Sequence, residues 1–188
     1  MSPKGTCYFK PLYEVATVIN SSLNPQVVLQ KVAEATAGAV KAKACTLRLL
    51  DRAGTRLLAS ASFGLSKGYL RKGSIDLLKS GIDAKVLSSG QIDYIEDART
   101  DSRFQYPEAA KDEGLVSILV APLMVERKPV GVLRIYTNEK RTFAEEERDF
   151  LMAVSHISAI AIENARLHEA LRSDYELLTQ YNYQIFED

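Results

Sequence analysis

The stretch that decides the fold runs from Gly114 to Leu167 and reads GLVSILVAPLMVERKPVGVLRIYTNEKRTFAEEERDFLMAVSHISAIAIENARL. It contains two apolar runs, Leu115 to Val125 and Pro129 to Thr137, separated by the charged residues 126–128. Apolar runs around a short polar turn are typical of two paired strands. Pro129 has no backbone N–H and therefore suits the first residue of a strand.

A long helix is predicted after these strands. Thr142 and Glu145 have the spacing of a capping box, and neither proline nor glycine occurs from there to Asp188. Residues at alternating intervals of four and three form a heptad seam with polar interruptions. The seam consists of Phe150, Val154, Ile157, Ala161, Asn164, His168, Leu171, Tyr175, Leu178, Asn182 and Ile185. One small domain does not cover such a helix, so its second half is expected to meet a partner or solvent.

The rest of the chain alternates between helical and extended patterns. We predict helices from Pro11 to Leu23 and from Pro25 to about Lys41, with Asn24 as the cap of the second helix. Further predicted elements are strands at Ala44 to Asp51, Thr55 to Ser62 and Ile92 to Glu96, and short helices at Ile82 to Ser89 and just before Gly114. Residues 63–90 lack a sustained period, so we expect a loop with few buried contacts that is the most mobile part of the domain.

The segment from Gly114 to Leu167 resembles the C-terminal half of a GAF domain, a small-molecule sensor module. The resemblance rests on Ala121-Pro122-Leu123, Val130-Gly131-Val132-Leu133, Phe143, Glu145-Glu146-Glu147 and Ala161-Ile162-Glu163-Asn164-Ala165. It extends roughly from Tyr13 to Leu171 and implies an α+β fold with a central antiparallel sheet of about six strands. The N-terminal helix pair and the long C-terminal helix are then expected on one face. Loops and short helices are expected to cover a ligand pocket on the other.

Length and composition limit the possible functions. The 188 residues suit one domain, which we place at residues 11–167, after an N-terminal tail at 1–10 and before a coiled-coil-like extension at 168–188. The 24 Lys and Arg residues balance the 24 Asp and Glu residues, so we expect neither nucleic acid nor a membrane as partner. The apolar runs are too short to span a bilayer, and the N-terminus does not resemble a signal peptide. Cys7 and Cys45 are therefore predicted to be free thiols in a cytoplasmic protein.

Strand alternation predicts one apolar and one mixed face of the sheet, with Arg48 and Arg134 on the mixed face. The family resemblance implies that their strands are neighbours and that the pocket lies on this face. Guanidinium groups match carboxylates and phosphates, so the two arginines point to an anionic ligand. The alternative is that they pair with nearby carboxylates, for which Glu96, Asp97 and Asp101 are available.

Other ligand contacts are predicted by position in the chain. They are Tyr136, Tyr94, Asp97, Arg103, Phe104 and Ser117. Tyr94 and Phe104 also fit an ordinary core. An open, polar pocket on the mixed face favours sensing, whereas a pocket filled by Tyr94, Phe104 and Leu50 favours an interaction role.

The sequence lacks the residue patterns of common enzymes. His156 and His168 lie twelve residues apart, which is not a metal-ligand spacing. A nucleophile elbow, a catalytic triad and a phosphate-binding loop are also missing from the sequence. We therefore predict no enzymatic activity, no metal and no cofactor. Within the family that the chain resembles, bilin, haem and methionine sulfoxide reductase members are disfavoured, because each needs cysteines or histidines that this sequence does not place in a pocket.

The leading hypothesis is a cytoplasmic sensory and signalling domain that binds a small ligand and transmits through a homodimer interface, with a signalling protein as a further partner. The predicted interface residues are Leu12, Ile19, Ile157, Asn164, His168, Leu171, Tyr175 and Leu178. Two alternatives stay open. One is a dimerisation or protein-interaction module with no physiological ligand. The other is a cyclic-nucleotide-binding member, because Asn138, Lys140, Phe143 and Glu146-Glu147 loosely resemble that signature.

Overall fold

The computed structural model describes residues 8–19, 21 and 24–185, with the side chains of 174 and 177–185 left out. Cys7 and the seam side chains beyond Tyr175 therefore lie outside the described part. The elements follow in the order α1 (Phe9–Ile19), α2 (Pro25–Ala39), β1 (Ala44–Leu50), β2 (Arg56–Phe63), α3 (Lys67–Leu70), β3 (Ile75–Asp76), α4 (Gly81–Ser89), β4 (Asp93–Ile95), α5 (Pro107–Glu113), β5 (Ile118–Val125), β6 (Lys128–Tyr136) and α6 (Glu145–Ile185).

The strands form one six-stranded antiparallel sheet in the order β3-β2-β1-β6-β5-β4. The predicted α+β class is confirmed, and β1 and β6 are central neighbours. Thr46 pairs with Arg134, and Arg48 pairs with Val132. Gly131 is needed at this contact, because a Cβ there would overlap the carbonyl oxygen of Arg48.

The sheet separates two apolar clusters. On one face, α1, α2 and α6 pack against strand residues that include Leu47 and Leu133. On the other face, the shorter helices and their connections pack against residues that include Val132 and Tyr136. The predicted division of long helices on one face and short elements on the other is confirmed.

The N-terminal helices differ in how well their starts were predicted. The Asn24 side chain accepts hydrogen bonds from the backbone N–H groups of Gln26 and Val27, as expected for the cap of α2. Helix α1 begins at Phe9, inside the predicted tail. The preceding Tyr8 stacks on Phe150 of α6, with ring centroids 4.9 Å apart, and this contact ties the helix start to the domain.

The predicted capping box of the last helix is wrong by two residues. Helix α6 starts at Glu145, and Glu147 rather than Glu145 completes the cap. Its carboxylate accepts a hydrogen bond from the Ala144 backbone N–H at 2.9 Å and also binds Arg141. The Arg141 interaction fixes which of the three consecutive glutamates turns back to the helix start.

Residues 64–80, which we call the cover, are better anchored than their sequence suggests. Tyr69 of α3 and Ile75 of β3 are buried, and β3 pairs with β2. The expectation of few buried contacts is therefore wrong for this segment. Two well-placed apolar side chains anchor it without any periodic pattern.

The last helix leaves the domain after Ala165. Phe150 and Val154 are buried in the domain's own core, so these two seam positions are not free for a partner. From Arg166 to Glu176, every side chain that the structure describes is exposed.

Candidate functional site

The site lies between the sheet and the cover and is built on two arginines. Arg48 is 0% exposed and Arg134 is 1% exposed. They are diagonal neighbours across β1 and β6, because Thr46 stands opposite Arg134 and is two residues from Arg48. An irregularity in the β1–β2 pairing falls between Leu47 and Arg48, and bulges of this kind redirect side chains. The predicted proximity of the two arginines is thus present in the structure.

Arg134 is paired with Asp83, in the first turn of α4. Its Nε donates to Asp83 Oδ1 at 3.0 Å, and its Nη2 donates to Asp83 Oδ2. The Ser80 hydroxyl donates to the same carboxylate. Burial alone lowers the pKa of Arg134, but the Asp83 carboxylate outweighs it and raises that pKa above its ordinary value. This ion pair joins β6 to α4.

The acid that binds Arg134 is not one of those predicted. Asp97 binds Arg99 and Asp101 binds Arg103, each within its own turn. Each carboxylate also accepts a hydrogen bond from the backbone N–H two residues ahead, which fixes it locally. Asp83 was overlooked because it stands among apolar residues of a predicted short helix.

Arg48 has no partner of this kind. Its Nε, Nη1 and Nη2 atoms are all buried, and none has a hydrogen-bond partner within the described part of the chain. An unpaired buried charge costs several kcal/mol in ordinary protein interiors. The site therefore contains two guanidinium groups and one neutralising carboxylate.

Lys72 adds a third basic group from the cover. Its Nζ atom is enclosed and has no hydrogen-bond partner among the described residues. It lies 3.2 Å from the centre of the Tyr69 ring, 4.9 Å from that of Tyr106 and 5.6 Å from that of Phe104. Burial, followed by the charges of Arg134 and Arg48, lowers the pKa of Lys72 to about 6.

Hydrogen bonds from the neighbouring segment 105–113 hold the cover closed. Glu113 accepts a hydrogen bond from the Ser66 backbone N–H at 2.7 Å. The Tyr106 hydroxyl donates to the Ser74 carbonyl oxygen at 2.8 Å, and Gln105 Oε1 accepts from the Asp76 backbone N–H at 2.9 Å. Because Arg48 is fully buried, any ligand from solvent must displace part of this closure.

Four of the eight predicted ligand contacts meet at this site: Arg48, Arg134, Tyr136 and Phe104. The Tyr136 hydroxyl lies 3.3 Å from the Thr46 hydroxyl, beneath the cover. Phe104 lies under the Arg134 guanidinium, with 5.6 Å between its ring centre and the guanidinium carbon.

The structure does not bring the other four predicted contacts to this site. Tyr94 packs on the helix side of the sheet, under the Arg148 guanidinium. Asp97 is held by Arg99, and Arg103 is engaged by Asp101, Asp93 and the Tyr94 carbonyl oxygen. The Ser117 hydroxyl donates to the Glu96 carbonyl oxygen at 2.7 Å and accepts from the Arg141 backbone N–H at 3.0 Å. Asp97 and Arg103 are engaged by partners two residues away, whereas Tyr94 and Ser117 are engaged by residues more than twenty positions away in the chain.

A second surface of interest lies on α1 and α6. Large apolar side chains are exposed there: Phe9, Tyr13, Ile160, Leu167, Leu171 and Tyr175. Of the predicted interface residues, Leu12, Ile19 and Ile157 are half-buried, Asn164, His168, Leu171 and Tyr175 are exposed, and the Leu178 side chain is outside the described part. At 3.6 residues per turn, Ile160, Leu167 and Leu171 share one face of α6, opposite the buried Leu151 and Ile162. Ile160 and Leu167 were not predicted for this face.

Within the described residues, no group of three or more His, Cys, Asp or Glu side chains could hold a metal ion. In the same part of the chain, no helix is long and apolar enough to cross a membrane. Cys45 is a free, fully buried thiol on the helix side of the sheet, and burial raises its pKa.

The sequence model of the GAF domain matches residues 22–163. The chain belongs to the GAF domain family. As a GAF domain, it is a sensory and signalling module. No curated protein sequence matches the chain.

Solved GAF domains are similar to this one. The GAF domain of an Acinetobacter phosphoenolpyruvate-protein phosphotransferase is 26% identical, with a TM-score of 0.73 over 86% of this chain and 96% of that chain. The corresponding domain from Coxiella burnetii is 23% identical, with a TM-score of 0.78 over 89% of this chain and 99% of that chain. A free methionine-R-sulfoxide reductase from Neisseria meningitidis, in complex with its substrate, is 16% identical, with a TM-score of 0.72 over 89% and 95% of the two chains. The last two likenesses concern the fold alone.

Proposed function

We propose that this GAF domain senses a small anion, which binds between the mixed face of the sheet and the cover. The proposal rests chiefly on one observation: the fully buried Arg48 guanidinium has no hydrogen-bond partner in the described part of the chain. A carboxylate or other oxyanion would satisfy these donors and neutralise the excess charge. Charge-assisted hydrogen bonds of this kind are strong in a site shielded from water.

Ligand entry requires the cover to move. The contacts of Ser66, Ser74 and Asp76 with residues 105–113 are polar and lie near the surface, so they can open without unfolding the sheet. The cover closes over the anion if the anion binds the closed arrangement more tightly than the open one. That difference in affinity limits how far the ligand can shift the equilibrium between the open and closed cover.

The signal passes to a homodimer in this proposal. Strand β6 carries Arg134 and leads through residues 137–144 into α6, whose exposed apolar face continues beyond the domain. A second copy that packs against this face would cover Ile160, Leu167 and Leu171. The polar residues Asn164 and His168 weaken such a seam and keep it adjustable. The domain then acts in the cytoplasm by binding alone, with a signalling protein as the recipient and without catalysis of its own.

The test compares anion binding by the wild-type protein and by the Arg48→Met variant. Calorimetry and thermal unfolding measure the binding. Sulfate, succinate and acetate serve as probes. We expect at least one of them to stabilise the wild-type protein and to lose its effect in Arg48→Met. Arg52→Met, at an exposed position in the β1–β2 turn, is the matched control and should bind like the wild type. Equal binding by Arg48→Met would sink the proposal.

The two alternatives have less support. A module with no ligand gives no account of an unpaired buried guanidinium at Arg48. A cyclic-nucleotide site would use residues that are engaged elsewhere: Phe143 packs on the helix side of the sheet, and Glu147 caps α6.

A further inference from the structure

The side chain of Lys72 points its amine into the protein and not toward solvent. The residue as a whole is partly exposed, whereas its Nζ atom is enclosed and lies over the face of the Tyr69 ring. Lysines at a protein surface normally bury the stem and keep the ammonium group in water. The surrounding rings can hold a cation over their faces, but they supply no hydrogen-bond acceptor to the inward-turned amine.

The charged and titratable groups around Lys72 come from every element that packs on it. Arg48 and Arg134 face it from the sheet, Asp83 from α4, Glu113 from α5, Tyr69 from the preceding helix α3 and Tyr106 from the residue just before α5. Glu113 is engaged by Ser66, and Asp83 is engaged by Arg134. The arginines and Asp83 together carry one net positive charge, and protonation of Lys72 makes it two.

We propose that Lys72 is the third basic contact of this site, and that the site binds a small dianion together with one proton, which the Lys72 amine takes from water. The inference rests on the anion site proposed above. In the reaction, the neutral amine and a solvent proton form an ammonium group, and its charge, with the net charge of the arginines and Asp83, balances the dianion. A monoanion needs no such proton, because the arginines already supply one uncompensated charge.

This linkage has a measurable sign. In the empty site, the pKa of Lys72 is lowered to about 6, so the amine is mostly neutral near physiological pH. A bound dianion favours the ammonium form and raises that pKa. At a pH between the Lys72 pKa of the empty site and the higher Lys72 pKa of the complex, the complex holds one more proton than the free protein. The affinity for a dianion therefore falls about tenfold for each unit rise in pH.

The experiment is calorimetric titration of the full chain at about pH 8 in buffers of different ionisation enthalpy, where the probes do not themselves titrate. Succinate and sulfate are the dianion probes, representing dicarboxylates and tetrahedral oxyanions, and acetate is the monoanion probe. We expect uptake of about one proton with whichever dianion binds, and no uptake with acetate. Preference between succinate and sulfate then identifies the ligand class.

Two variants separate protonation from packing. Lys72→Arg keeps a charge that does not titrate in this range, so it should bind the dianion without proton uptake and with a flat pH profile. Lys72→Met should lose both the uptake and most of the affinity, at least tenfold. Lys79→Met, at an exposed position in the cover, is the matched control and should behave like the wild type.

The outcomes distinguish this inference from the proposed function. Binding that depends on Arg48 but takes up no proton, and that Lys72→Met leaves unchanged, overturns the role of Lys72 and leaves the anion site standing. In that case Lys72 only braces the cover on the aromatic rings, and Lys72→Met should lower the melting temperature. Equal affinity for acetate and the dianions overturns the dianion preference. Failure of every anion to bind the folded wild-type protein overturns both proposals.

Discussion

The Arg134 guanidinium is held against both carboxylate oxygens of Asp83, and both side chains are completely buried. Arg48, its diagonal neighbour on the next strand, has no such partner among the described residues. The same residue type on one face of the sheet therefore has two different environments. Arg134 ties α4 to the sheet, whereas the fully buried Arg48 guanidinium has no hydrogen-bond partner in the described part of the chain.

The substitutions Arg48→Met and Arg134→Met should have opposite effects on the stability of the ligand-free protein. Arg48→Met removes a buried unpaired charge, so the free energy of unfolding should rise by about 1–3 kcal/mol. Arg134→Met leaves Asp83 buried and unpaired, so stability should fall by about 3–5 kcal/mol. Urea denaturation of both variants in sulfate-free buffer measures this difference. A large loss of stability in Arg48→Met would indicate a structural role for Arg48.

Removal of both members of the buried pair should be milder than removal of one. In the double variant Arg134→Met with Asp83→Leu, neither charge of this pair is left without the other, and well-packed apolar replacements of buried ion pairs are often neutral. We expect stability to recover most of the loss seen in Arg134→Met. If the double variant is as unstable as the single one, the loss comes from packing and not from the stranded carboxylate.

Stability without ligand should increase with pH because of Lys72. Its pKa is about 6 in the folded protein, and an unfolded lysine titrates near about 10.4. Between these values the unfolded chain binds more protons, so the free energy of unfolding rises by up to about 1.4 kcal/mol per pH unit. Urea denaturation from about pH 6.5 to about pH 9.5 should show a steeper rise for the wild type than for Lys72→Met. Parallel pH profiles would contradict the buried location of the amine.

Opening of the cover should depend on the Tyr106 hydroxyl. Tyr106→Phe removes its hydrogen bond to the Ser74 carbonyl oxygen and keeps the ring, at a cost of about 0.5–1.5 kcal/mol. Amide hydrogen exchange should speed up in residues 66–76 and stay unchanged in β1 and β6. Tyr13→Phe, on the exposed face of α1, is the control. The same exchange map of the wild type tests the prediction from sequence that residues 63–90 are the most mobile part of the domain.

The proposed homodimer can be tested on the exposed apolar face of α6. Leu167→Glu with Leu171→Glu places two charges on that face, and we expect light scattering to show a monomer. Ser173→Glu puts its charge nearly on the opposite side of the helix and should leave the dimer intact. A dimer that survives the double change would place the interface elsewhere.

Much of the fold could be predicted because it depends on local pattern. Alternating apolar residues fixed which face of β1 and β6 is buried against the helices, and Asn24-Pro25 marked the start of α2. The start of α6 was misplaced, because the choice between Glu145 and Glu147 depends on Arg141, which reaches back from the preceding loop. The sequence pattern predicts that a helix is present, whereas the residue at which it begins depends on side-chain contacts such as that of Arg141 with Glu147.

The sequence by itself determined the α+β class, the order of most elements and the presence of two arginines on one face, since period and composition encode these over short ranges. Only the tertiary structure decided that Asp83 neutralises one arginine, that Lys72 turns inward, and that Tyr94, Asp97, Arg103 and Ser117 lie elsewhere. Ion pairs and aromatic contacts between irregular segments have no sequence period. They depend on where the cover crosses the sheet, and long-range packing fixes that position.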